Sequence, residues 1–163
     1  MAPDSLAGSK ALAAGGLIRL SWHSSFASGN PMIDRQHIGL FDSANGLLGA
    51  ILSEAGTDEI AGRIDRLLSE IVRHFRDEED MLRSVGYPNA GEHGAIHRRL
   101  IEQAQDLANS LRARTVDVGE LFQFLTFEVI ARHMLSADRD FFSYLPTGAV
   151  GAQAGMSVPI TRN

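Results

Sequence analysis

The chain of 163 residues contains no cysteine. That excludes disulfides, zinc fingers, iron–sulfur clusters and thiol chemistry in one step. Aromatics are sparse, with one tryptophan and two tyrosines. Positive charge is not in excess either: 15 Lys and Arg stand against 20 Asp and Glu, a formal net charge of −5. A nucleic-acid partner needs cations clustered on its phosphates, so none is expected. No apolar run reaches the length of about 20 residues that spans a bilayer. Residues 11–18 are too short, and too broken by Gly15 and Gly16, to read as a signal segment. A soluble, cytoplasmic protein is expected. What is present is ordinary globular material, 44% apolar and 21% charged, enough for one domain with a real core.

Turn signals divide the chain. Residues 1–16 are rich in Ala, Gly and Ser and predict a loose arm. Residues 17–35, with Trp22, Phe26 and the Gly29-Asn30-Pro31 turn, predict an ordered non-helical lead-in. Four helical segments follow at about 36–54, 58–85, 91–112 and 117–144, with Asp58 and Asp117 as expected N-caps. Beyond Pro146 the Gly- and Ala-rich residues 147–163 read as a flexible tail or linker. Connections this short force neighbours antiparallel, so residues 17–146 predict an all-α, up-down-up-down antiparallel four-helix bundle. At 1.5 Å per residue it is about 30 Å long.

Helical periodicity then places five of the six histidines on the apolar stripes. In the second segment Ile60, Ile64, Leu67, Ile71, His74, Glu78, Leu82 and Val85 stay within a stripe about 80° wide at 100° per residue. His93 and His97 lead Leu100, Ala104, Leu107 and Leu111 in the third. His37 shares a face with Leu40, Phe41, Ala44, Leu48 and Ile51 in the first. Phe122, Val129, His133 and Ala137 align in the fourth. Asp138 does not fit, because an i, i+5 step turns about 140° around a straight helix. It enters the core only from the side, or if the helix bulges.

Ionisable groups in a core cost several kcal/mol each unless compensated. Convergence of five imidazoles with Glu78 therefore points to a metal centre. Nitrogen-rich ligation suits iron, copper, nickel or zinc, and the donors exceed what one four-coordinate structural zinc uses. A ferritin-like carboxylate site needs Glu-x-x-His, which no glutamate here provides. Glu79 and Asp80 read as a solvated face, Met81 and Leu82 as core, Tyr87-Pro88 as a turn, and His23 as a structural or surface histidine.

Several blocks together resemble the hemerythrins, especially the bacterial ones. They are Ile33-Asp34-Arg35-Gln36-His37, His74-Phe75-Arg76-Asp77-Glu78-Glu79-Asp80-Met81, Tyr87-Pro88, His93-x-x-x-His97 and His133-x-x-x-x-Asp138. The likeness covers about residues 20–145. It implies a non-haem di-iron site that binds O2 reversibly. By the same resemblance His93, His97 and His133 hold one iron, and His37 and His74 the other. Glu78 and Asp138 bridge them beside an oxide or hydroxide. The resemblance, not the spacing, enrols Asp138. Since one ion has three histidines and the other two, O2 is expected at the iron held by His37 and His74.

Two departures stand out. Val129 occupies the place where the family commonly has tryptophan, next to Ile130, where the family sets a bulky aliphatic over the O2 pocket. Gly39, Gly46 and Gly49 are expected on the side of the first helix away from His37, each costing about 1 kcal/mol relative to Ala. That helix then depends on metal for its order, or offers a flat face to a partner domain. The functional expectation is a monomeric, non-enzymatic O2 carrier, store or delivery module. The alternatives are an O2 or redox sensory domain fused to or associated with a signalling domain, a di-iron oxidase, NO reductase or peroxidase, and a structural zinc or mixed-metal site.

Overall fold

Helix α1 (Pro31–Leu52) starts five residues ahead of the expected boundary. The reason is local. Asn30 Oδ1 accepts the amides of Met32 and Ile33 at 3.0 and 3.2 Å, and Pro31 has its φ preset for the first helical position. The computed structural model describes residues 19–146, so the expected arm and tail lie outside the described residues. Ahead of α1 the lead-in holds one short 3-10 turn, Ser24–Phe26, capped by the His23 ring accepting from the Ser25 amide. Asp34 then ties lead-in to helix, accepting the Ser28 amide and hydroxyl, both at 2.7 Å.

Helix α2 (Thr57–Ser84) begins one residue before the expected cap. Gly56 is the N-cap and makes no side-chain cap bond, which corrects the assignment of that role to Asp58. Asp58 lies instead in the first turn, where its charge favours the positive end of the helix dipole. Gly86, at φ +69°, turns the chain into α3 (Ala90–Arg112). Asp117 does cap α4 (Val118–Gln123), accepting from the Glu120 amide at 2.9 Å.

The fourth rod is not one straight helix. After α4 it continues as a π-helical stretch, Phe124–Met134, then as a 3-10 helix, Ala137–Tyr144. Hydroxyls sit near both ends of the π stretch. Thr126 donates to the Phe122 carbonyl four residues back at 2.8 Å, and Ser136 does the same to Arg132. Each competes for a carbonyl that the α ladder would use. At Ser136 the backbone leaves helical geometry (φ −129°, ψ −60°) before the 3-10 helix begins.

The rods pair antiparallel. Gln36 meets Asp77 and Ser43 meets Glu70 across α1 and α2; Glu79 meets His97 and Asp65 meets Arg112 across α2 and α3. The fourth rod closes against α1 and α3, completing the all-α up-down-up-down bundle. One core runs along it, with Leu47, Leu67, Leu121, Leu125 and Ile130 fully buried. A smaller cluster of Leu82, Tyr87, Phe141 and Leu145 closes one end, so Tyr87 serves as core as well as turn. Gly39 and Gly46 do not form a bare face. They lie with Ser43 along the α1–α2 seam, where a Cβ on Gly46 would come within 3.1 Å of Arg63. Gly49 alone of the three is exposed.

Candidate metal centre

All seven expected donors come together, each at most 5% exposed. His37 comes from the first turns of α1, His74 and Glu78 from the second half of α2, and His93 and His97 from the start of α3. Antiparallel packing sets these stretches at one level of the bundle. His133 reaches the same level from the π stretch, and Asp138 from the 3-10 helix after the break. The bulged rod thus resolves the 140° problem: Asp138 is buried, whereas Ala137, expected on the stripe, is only half-buried.

The donor atoms form two overlapping groups, Glu78 with His93, His97, His133 and Asp138, and His37 and His74 with Glu78 and Asp138. Both carboxylates belong to both. Glu78 turns Oε1 to His93 and His97 (2.8 and 3.2 Å) and Oε2 to His74 (3.5 Å). Asp138 turns Oδ1 to His133 and His93 (3.1 and 3.4 Å) and Oδ2 to His37 (3.5 Å). Imidazoles face one another as well. The Nε2 atoms of His97 and His133 are 2.8 Å apart, and those of His37 and His74 are 3.2 Å apart. A pair of facing ring nitrogens shares at most one proton, so lone pairs are crowded together. Among the described residues Glu78 Oε2 and both Asp138 oxygens are buried with no hydrogen-bond partner. A buried acceptor left this way costs about 1–3 kcal/mol, more when charged.

Protonation follows from burial and neighbours. Burial takes the His74 and His133 pKa down to about 4, leaving both rings neutral near pH 7. Burial pushes His93 down too, but the Asp138 and Glu78 carboxylates beside it outweigh that and raise the ring to about 9. Burial pushes both carboxylates upward, yet each stays below the ordinary range. The His93 and His97 rings beside it hold Glu78 down, and His37 and His93 beside it hold Asp138 down. Two anions and the neutral His74 and His133 rings suit a cation, and His93 must give up its proton to join them.

Residues 28–145 match the family model of the hemerythrin HHE cation binding domain. The chain belongs to the hemerythrin family. It is 31% identical over 116 residues to a bacteriohemerythrin of Campylobacter jejuni subsp. jejuni, which covers 71% of this chain and 86% of that one. A bacteriohemerythrin of Methylococcus capsulatus is 25% identical over 121 residues, 74% of this chain and 92% of its own. The crystal structure of a wild-type hemerythrin superposes with a TM-score of 0.68 at 26% identity, covering 77% of this chain and 97% of that one. The bundle fold is therefore shared with a solved hemerythrin.

Two residues at the hemerythrin site escaped the sequence reading. Gln36 Oε1 accepts from His74 Nδ1 at 3.0 Å, and Glu79 Oε1 accepts from His97 Nδ1 at 3.0 Å. Glu79 is thus no solvated residue: it is 24% exposed and turned toward α3. The missed signal was its place beside Glu78, on the flank of the stripe that faces the next helix. Phe75, on that flank too, stacks flat on the His97 ring at 3.8 Å. Asp80 stays on the outer face, paired with Arg83, and His23 is exposed as expected.

Proposed function

We propose that this hemerythrin domain, residues 17–146, binds dioxygen reversibly at two iron ions held by the seven clustered side chains. His93, His97 and His133 would hold one ion and His37 and His74 the other, with Glu78 and Asp138 shared along with an oxide or hydroxide. The single observation that carries the reading is the division of the two carboxylates: each sends its oxygens to different histidine groups, and three of the four oxygens are buried without a hydrogen-bond partner. Donor spacing agrees. An ion holding imidazole nitrogen at about 2.1 Å would space adjacent donors about 3 Å apart. The closest approaches across the site run from 2.8 to 3.5 Å. When bound, the iron pair supplies the two electrons that dioxygen takes up and gives back.

The protein's own part is binding, orientation and exclusion of water. Gln36 and Glu79 fix which nitrogen of His74 and His97 carries the proton, so that Nε2 points inward with its lone pair free. Phe75 packs on the His97 ring and Phe141 edge-on to His93, and Val129, Ile130 and Met134 are buried in the same core as Phe75. Trp22 of the lead-in lies over the two-histidine side, 6.3 Å from the His37 ring and edge-on to Phe41. Such walls keep out the water and protons that would leave the iron ferric. The role proposed is binding, as carrier, store or delivery module. No described helix is long and apolar enough to cross a membrane.

Anaerobic loading with Fe(II) should give two iron per chain. Admitting O2 should then produce a visible absorption band that disappears under argon over repeated cycles. Immediate, irreversible conversion to the ferric form would overturn carriage and favour redox sensing or turnover.

A further inference from the structure

The two histidines with side-chain acceptors behind them have acceptors of different charge. His97 gives its Nδ1 proton to a carboxylate, Glu79. His74 gives its proton to a neutral amide, Gln36. The Gln36 orientation is set from outside: its Nε2 donates to Asp77 Oδ2 at 2.7 Å, so the amide oxygen is the atom left facing His74. Asp77 is therefore one amide group away from the imidazole it would otherwise polarise. All three lie on the wall of a groove between α1 and α2, with Arg35 and Arg73 at its rim.

A carboxylate behind a ligating imidazole raises the electron density at the inner nitrogen, and loss of such a partner typically costs 10–100-fold in metal affinity. An amide does this less. We propose that Gln36 is a positioning residue that holds the His37–His74 half of the centre as the weaker metal position, by keeping the Asp77 charge from His74. Glu79 does the opposite for the three-histidine half. The difference adds to that of ligand number and rests on the two-ion reading given above. Its consequence is an order of filling: the His93–His97–His133 position first, the His37–His74 position second and with lower affinity.

The test is titration of the metal-free 163-residue chain with Co(II), followed by visible absorption. Wild type should show two resolved steps. The informative variant moves the carboxylate without changing net charge, Gln36→Glu with Asp77→Asn, so that the new carboxylate faces His74 and the asparagine amide supports it. The second step should tighten about 10-fold or more, while the first stays where it is. Asp77→Asn alone should leave both steps close to wild type. Glu79→Gln should weaken the first step about 10-fold or more. Nitrogen-15 spectra of the zinc-loaded protein should keep the His74 proton on Nδ1 in every variant, a readout that loss of packing alone would not preserve. A second step unmoved in the double variant, or both steps moved equally, would overturn the proposal about Gln36. Uptake of fewer than two ions by wild type would overturn the two-ion reading and this inference with it.

Discussion

Glu78 and Asp138 each face imidazoles on both sides of the centre, so neither can be neutralised without affecting both halves. Glu78→Gln should leave the helices intact and lower bound iron below two per chain, measured by metal analysis beside circular dichroism. Phe75 acts at the same scale by packing. It is fully buried and flat against His97. Phe75→Ala should lower stability by about 3–5 kcal/mol in urea unfolding, with loss of one rotamer constraint on a donor. Val129 is buried in the same core. Val129→Trp should slow autoxidation of the oxygenated form, although forcing the larger ring into the core costs about 1–3 kcal/mol. Equal lifetimes in the two proteins would show that residue 129 does not control water entry.

At the scale of elements, α1 and the fourth rod depart from regularity in different ways. Helix α1 carries three glycines in its interior yet is helical from Pro31 to Leu52. Gly39 and Gly46 line the seam with α2, where a Cβ on Gly46 would meet the Arg63 guanidinium. Gly49 has nothing within 4 Å of an added Cβ. Gly49→Ala should therefore stabilise the protein by about 1 kcal/mol, seen as a raised melting temperature with iron content unchanged. The fourth rod spends its helical regularity on the site. A continuous α-helix through His133 would carry Asp138 away from the bundle axis; the π stretch and the break at Ser136 bring it back. π segments concentrate at functional sites in just this way. The lead-in is the third such element, locked by Asp34 and by Leu20 pairing both its backbone groups with Asn45 at 2.8 Å.

For the whole molecule, the centre joins parts distant in sequence: all four rods supply donors. Two buried anions and facing ring nitrogens oppose one another in the metal-free state, and a cation removes that opposition. Metal should thus stabilise the bundle by its binding free energy. The metal-loaded protein should melt well above the metal-free one, and a chelator should reverse the gain. Amide exchange should localise the loss to the donor-bearing turns, while the far end around Leu47, Leu67 and Leu121 stays protected. Uniform loss across the bundle would mean that the apolar core cannot hold its order without the ions.

Bundle architecture, and six of the seven clustered side chains, were legible in the sequence because helical periodicity is a local property. Apolar residues three and four apart share a face whatever surrounds them, and His37, His74, Glu78, His93, His97 and His133 continue those faces. The start of α1 was legible too, in Asn30-Pro31, although the reading placed it five residues late. Asp138 was reachable only by family resemblance, since its place depends on how the fourth rod bulges against its neighbours. Gln36, Glu79 and Phe75 belong to tertiary structure alone. Each sits beside a donor in the chain but acts on a ring from another helix, and which flank meets which neighbour is decided by the packing of rods, not by the spacing within one.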